Sequence, residues 1–286
     1  MATVRRLLRT QVELHGVQFW IVEKDYALSY LLKAISLTDG LGDALVLKGG
    51  TALRKLYFRD YRFSEDLDYS TREIGPIAEL DAKLHRAVQR AGELLQERGS
   101  FNIEYELVTL RDPHPRGQSS YVVRVQFPHH QAPICRLKVE ITIDEPIILE
   151  PDRRLIIHNF TEELEGEVLV YQLREVVAEK LRALLQTLVH VEERGWGTGR
   201  VPRDYYDLWY LLKNQDFSGA ALVALSQEKA SHRNVKVSSA SDFFHPKLLE
   251  LAKRQWDKQL RIFVPTAPDA DVVLAEAQDL IADLWR

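Results

Sequence analysis

The feature that most constrains this chain is a change of hydrophobic period part-way along it. Three segments, "NIEYELVTL" (102–110), "SYVVRVQF" (120–127) and "ICRLKVEITI" (134–143), alternate apolar and polar residues, as half-buried strands do. They are separated by the turn-rich stretches "RDPHPRGQ" and "PHHQAP", so this part of the sheet is expected to run antiparallel. From Tyr171 onward the period becomes helical, in "YQLREVVAEKLRALLQTLVH", "PRDYYDLWYLLKN", "FSGAALVALSQEKA", a stretch at 245–262 and "PDADVVLAEAQDLIADLWR". A sheet-bearing half followed by a helical half predicts an α+β chain of two units, placed at 1–160 and 161–286. The first unit opens with a helical segment over 3–36 and carries an amphipathic helix at 77–98 ending before Gly99. The glycine-rich loop "ERGWGTGRVP" (193–202) is a candidate mobile element.

Composition narrows the function classes. With 286 residues, 45% of them hydrophobic, the chain can bury a substantial core. A net charge of −4 argues against coating nucleic acid by bulk electrostatics and leaves local basic grooves open. The single cysteine, Cys135, allows neither an internal disulfide nor a thiolate-rich zinc site. No window approaches the roughly 18 apolar residues of a membrane span, and Glu13 and His15 break the first apolar run. A cytoplasmic chain with no membrane partner is the expectation. The histidines, including His129 and His130, lack metal-ligand spacing and are expected in loops.

The densest chemistry lies in "LKGGTALRKLYFRDYRFSEDLDYS" (47–70). "ALVLK" (44–48) reads as a short strand, "TALRKLYF" as a helix and "EDLDYS" as a second strand. Gly49 and Gly50 therefore sit at a strand-to-helix junction, where bare backbone N–H groups attract phosphate. A tight turn explains the pair equally simply. On a strand, Asp66 and Asp68 project to one side while Leu67 faces the other. Two adjacent carboxylates are either a solvated acidic edge or ligands of a hard divalent cation such as Mg²⁺ or Mn²⁺. In "RLKVEITID", Val139, Ile141 and Ile143 share one face and leave Glu140 on the other, beside Lys138 and Thr142, as a candidate third acid. Neither a G-x-x-x-x-G-K-[ST] loop nor a G-x-G-x-x-G fingerprint is present. Glycines for phosphate and acids for metal are the set that metal-assisted in-line attack on phosphorus requires.

These residues resemble a known family. "KGGTAL" followed by "RFSEDLDY" is similar to the first motif of the AbiEii/AbiGii toxin nucleotidyltransferases, a branch of the DNA polymerase β-like superfamily. The likeness extends to "IVEKDYALSYLLKAI", "REVVAEKLRALL" and "RDYYDLWYLL". The resemblance implies a polymerase β-like domain with a mixed sheet followed by a helical domain. It implies transfer of a nucleotide from an NTP to an acceptor, by a toxin paired with an antitoxin; some members add nucleotides to tRNA 3′ ends. Gly49, Gly50 and Ser64 would hold phosphates, with Lys48, Thr51 and Arg62 as further substrate-binding candidates. Asp66 and Asp68 would hold the metal. Glu140 stands where the superfamily often has an aspartate.

The helical half adds four polar candidates. Lys180 falls on the face of Leu173 and Leu184, where a lysine must snorkel, pair with an acid or face a cleft. The resemblance makes it a triphosphate ligand. Asp204 follows Pro202 at a predicted helix start, where the helix dipole alone would favour an acid. In the family the Arg-Asp-x-x-Asp motif looks catalytic, with Asp204 as the base for the acceptor hydroxyl. Asp207 is read as orienting Arg203 or Lys180, and Arg203, like Arg62, as a phosphate or carboxylate partner. Glu175 and Glu179 read as surface charge, Lys24 and Asp25 as a structural ion pair. Tyr205, Tyr206 and Trp209 are expected in an interdomain core. The expected function is an Mg²⁺-dependent nucleotidyltransferase toxin acting on RNA such as tRNA. The alternatives are transfer to a protein or small molecule, or a catalytically silent binding protein.

Overall fold

The computed structural model describes residues 3–72, 77–108, 118–194 and 199–286. Residues 111–117 of the predicted turn and 195–198 of the glycine-rich loop lie outside the described residues. The chain divides into two compact units, Met1–Tyr171 and Gln172–Arg286.

In the first unit, α1 (Val4–His15) ends at Gly16, whose φ of +65° closes the helix in the left-handed region that glycine tolerates. The next helix, α2 (Phe19–Ser36), is buried along almost its whole length. It packs on α4 (Ile77–Gln96) and reaches the sheet. Between them run β1 (Leu45–Lys48), a short helix α3 (Gly49–Ala52) continued by a π turn at Leu53–Tyr57, and β2 (Asp66–Thr71). The Phe58 N–H reaches back to the Leu53 carbonyl at 2.8 Å and closes that wide turn.

The sheet is completed by β3 (Asn102–Val108), β4 (Gln118–Gln126), β5 (Cys135–Thr142), β6 (Asp152–Leu155) and β7 (Glu167–Val170). Its order is β3-β4-β5-β2-β1-β7-β6. β3, β4 and β5 form the expected antiparallel meander. β2 then lies parallel to β5, and β1 parallel to β7, so the sheet is mixed. Leu67, Tyr69, Leu137, Val139 and Ile141 are all buried, one face of the alternation read in the sequence. The strands β6 and β7 were not anticipated. They keep the chain with the sheet as far as Tyr171, whereas the sequence placed the division at 160/161.

The second unit is helical: α5 (Leu173–Arg194), α6 (Val201–Asn214), α7 (Gly219–Ser231), α8 (Pro246–Trp256) and α9 (Ala270–Leu284), with short 3₁₀ and π turns beside α8. α5 packs on α6 and α7, and α6 on α8 and α9. Tyr205 is fully buried and donates its hydroxyl to the Phe243 carbonyl, while Trp209 donates to Glu276 at 2.7 Å. These partners lie inside the helical unit. Glu175 is not surface charge: it is fully buried and pairs with the equally buried Lys229 at 2.7 Å. A buried carboxylate requires such a partner, and the sequence hid this one 54 positions away (229 − 175). Glu179 is partly buried and pairs with Arg182 at 3.3 Å.

Candidate active site

In the first unit the polar candidates gather where β1, β2 and β5 lie side by side. β2 alternates as its sequence requires, with Leu67 buried and Asp66 and Asp68 on the partly open face. The register of β2 with β5 sets Asp66 opposite Lys138 and Asp68 opposite Glu140. In parallel strands residues in register share a face, so Glu140 joins the aspartates as the sequence suggested. It also carries its own cation, because Lys138 bonds one of its oxygens.

Gly49 follows β1 with φ +74°. A Cβ there would lie 3.0 Å from Asp68 Oδ2, so the bare backbone and the carboxylate share one space. A Cβ on Gly50 would lie 2.6 Å from a guanidinium nitrogen of Arg62, a buried side chain that also donates to the Phe63 carbonyl at 3.2 Å. The two glycines thus admit Asp68 and Arg62 against the chain at the turn. Thr51 is fixed by its hydroxyl donating to the Asp66 carbonyl. Ser64 is buried just ahead of β2. Lys48 turns inward, donating to Glu145 at 2.7 Å and lying over the Tyr171 ring.

Gly49→Ala is expected to destabilise the first unit by about 1–2 kcal/mol, the cost of a left-handed backbone for an L side chain. Gly50→Ala should cost less, since its positive φ is absent and Arg62 can move its tip. Matched thermal melts check this; equal losses at both positions would contradict it.

Behind the turn, three consecutive residues of α2 anchor three different segments, as successive helical residues 100° apart can. Lys24 bonds Glu65 at 3.0 Å, immediately before Asp66. Asp25 bonds Arg54 at 2.6 Å and Lys55 at 2.7 Å, all three buried, in the helix that follows the glycines. Burial alone would raise the Asp25 carboxyl; burial, helped by Arg54 and opposed by Asp25, brings the Lys55 ammonium down to about 8. Two cations against one acid nevertheless hold Asp25 at about 2. Glu23 meets His129 and His130. The ion pair expected of Lys24 and Asp25 is therefore two separate pairings, each with a distant segment.

In the helical unit, Pro202 opens α6 and Asp204 falls in its first turn, as predicted. Lys180 of α5 bonds Asp204 at 2.8 Å and Asp207 at 2.5 Å. Asp207 is wholly buried, whereas the Asp204 side chain keeps 11% of its surface exposed. Of the sequence alternatives for Lys180, pairing with acids is realised. Arg203 lies over the Phe263 ring, 4.7 Å from its centroid, and donates to Gln259 at 3.3 Å.

The first unit thus carries a D-x-D strand beside a Gly-Gly turn in a mixed sheet and is followed in the chain by a helical unit, the arrangement that the sequence resemblance implied for a nucleotidyltransferase. Residues 30–282 match the model of the nucleotidyl transferase AbiEii toxin family of type IV toxin–antitoxin systems, and the chain belongs to that family. It is therefore a nucleotidyltransferase toxin, and membership implies an NTP substrate and a cognate antitoxin. Among solved structures, the nucleotidyltransferase toxin MenT4 from Mycobacterium tuberculosis H37Rv is similar in fold. The TM-score is 0.66 at 22% identity, over 99% of this chain and 90% of that one. A comparison with curated proteins gave no match. Among the described residues no helix is long and apolar enough to cross a membrane.

Proposed function

We propose that this toxin moves an NMP from an NTP to an RNA acceptor, a tRNA 3′ end being the type, with the help of Mg²⁺ or Mn²⁺. The observation that carries the reading is the shared face of Asp66 and Asp68, with Gly49 held so close that a Cβ would intrude on Asp68. The donor set fits the ion: carboxylate oxygens are the hard ligands that Mg²⁺ and Mn²⁺ select, and the glycine keeps their space open. Asp66 and Asp68 hold the cation, with Glu140 beside them. When bound, it neutralises triphosphate charge and sharpens the nucleophilicity of the acceptor hydroxyl.

The remaining roles belong to the chain's own backbone and side chains. Gly49, Gly50 and Ser64 receive the phosphates, and the Arg62 guanidinium under Gly50 adds positive charge to that turn. Lys48, paired with Glu145, braces the end of β1, and Thr51 fixes the helix that follows. In the helical unit Asp207 anchors the Lys180 ammonium, which binds the triphosphate. Asp204, the more exposed of the two acids, takes the proton of the acceptor hydroxyl. Arg203 supports the same stretch of α6. The hydroxyl oxygen forms a bond to the α-phosphorus, the bond from that phosphorus to the bridging oxygen breaks, and pyrophosphate leaves. The RNA acceptor is supported by family resemblance, and its home in the cytoplasm follows from that acceptor.

Incubation with each α-labelled NTP, Mg²⁺ and total cellular RNA tests the acceptor. A labelled band of tRNA size is expected with one or two of the four nucleotides. Label in protein or in a small molecule, with none in RNA, would overturn the RNA reading and leave nucleotidyl transfer intact.

A further inference from the structure

Glu23, His129 and His130 form a cluster that the proposed reaction does not use. Glu23 belongs to α2 and is 3% exposed. His129 and His130 lie in the connection between β4 and β5, 106 and 107 positions away in sequence. Both imidazoles aim Nε2 at the same carboxylate oxygen, at 2.7 and 2.6 Å. All three potential ligand atoms lie within 4.8 Å of one another. The rings are fixed from outside: His129 packs edge-on to Phe19, both histidines pack on Phe127, and Gln126 donates to the His130 carbonyl at 3.1 Å.

We infer that this cluster is a binding site for a divalent transition metal of the zinc type. Two imidazoles and one carboxylate are the mixed nitrogen and oxygen set that Zn²⁺, Co²⁺ and Ni²⁺ prefer, whereas Mg²⁺ selects oxygen alone. Ligands at about 2.1 Å from a tetrahedral ion stand roughly 3.4 Å apart. The two nitrogens need to withdraw from the oxygen by less than about 1 Å to reach that spacing. A dication also satisfies the buried carboxylate more fully than hydrogen bonds from two imidazole N–H groups to a single oxygen. Three protein ligands leave one position for water.

The placement gives the site a structural consequence. Metal at Glu23 ties α2 to the β4–β5 connection. The next residue, Lys24, bonds Glu65 one position before Asp66, and Asp25 holds the helix after the glycines. Metal at this cluster therefore fastens the helix that braces β2 without touching Asp66 or Asp68.

The test starts from full-length protein stripped by a chelator and titrated with Zn²⁺, then with Co²⁺, by calorimetry and visible absorption. One equivalent is expected to bind, with a rise in Tm, and the same equivalent should bind Asp66→Asn. The pair His129→Gln and His130→Gln keeps side-chain hydrogen bonding and removes ligation; binding should weaken at least about tenfold. Should that variant fail to fold, diethyl pyrocarbonate labelling of the wild-type chain reads the same claim. His129 and His130 should then be shielded by Zn²⁺ and left reactive by Mg²⁺. No Zn²⁺ binding by the stripped protein, binding unchanged in the glutamine variant, or no shielding of the two rings would each overturn the inference.

Discussion

Asp66→Asn is expected to lower nucleotide transfer on the order of 10³-fold and to relieve toxicity, while leaving Tm unchanged or slightly raised. Removing one preorganised charge from a site of this kind costs about 10²–10³ in rate, and Asp66 is one of the two carboxylates that would hold the cation. The stability arm has the opposite sign. Asp66 and Asp68 project from the same face of one strand, so neutralising one carboxylate relieves like-charge repulsion. A rate loss accompanied by a falling Tm would mean that Asp66 serves the fold. Transfer activity within a few-fold of wild type would remove the D-x-D strand from the mechanism.

The second large effect is on stability. Asp25→Ala is expected to cost about 3–5 kcal/mol, the usual penalty for removing one member of a buried ion pair. Both Arg54 and Lys55 would be left as buried cations without their carboxylate. For a chain of this size that corresponds to a Tm loss of roughly 10 °C. Asp25→Asn should recover part of it by keeping the hydrogen bonds. The pH dependence follows from the same pair. Two cations hold the Asp25 carboxyl at about 2, against an ordinary value of 3.8. Its contribution is therefore fully present above the unfolded value and is lost as pH falls from about 4 toward 2. In Asp25→Ala that segment of the acid-unfolding curve should flatten. A Tm within a few degrees of wild type would show that the three residues are not the brace described above.

Much of this arrangement was legible from local pattern. The D-x-D alternation put both aspartates and buried Leu67 on their proper faces because a strand has a period of two whatever its neighbours are. Glu140 was placed by the same rule on β5. Pro202 marked the start of α6 because proline fixes φ and lacks an N–H where none is needed. The glycines were only half legible. Their position at a strand end was clear, but the reason for Gly49 is its φ of +74° and the closeness of Asp68, and the reason for Gly50 includes an Arg62 side chain 12 positions later (62 − 50).

What the sequence concealed is long-range pairing. Glu175 sits in a helix as any surface glutamate would, and only the approach of α7 supplies Lys229. Asp25 meets Arg54 across 29 positions and Lys24 meets Glu65 across 41. No periodicity records such contacts. His129 and His130 lacked ligand spacing because their third partner, Glu23, lies on the far side of two-thirds of the first unit's chain. The strands β6 and β7 were missed for a different reason: at four residues each they are too short to show alternation.

The most direct test of the central claim is a pair of incubations with RNA and Mg²⁺ in which the same NTP is labelled at the α-phosphorus in one and at the γ-phosphorus in the other. Attack at the α-phosphorus predicts label in RNA only from the first, with the γ-label released in pyrophosphate in equal amount. Label entering RNA from the γ-position would mean phosphoryl transfer and would contradict the roles given to Asp66, Asp68, Lys180 and Asp204.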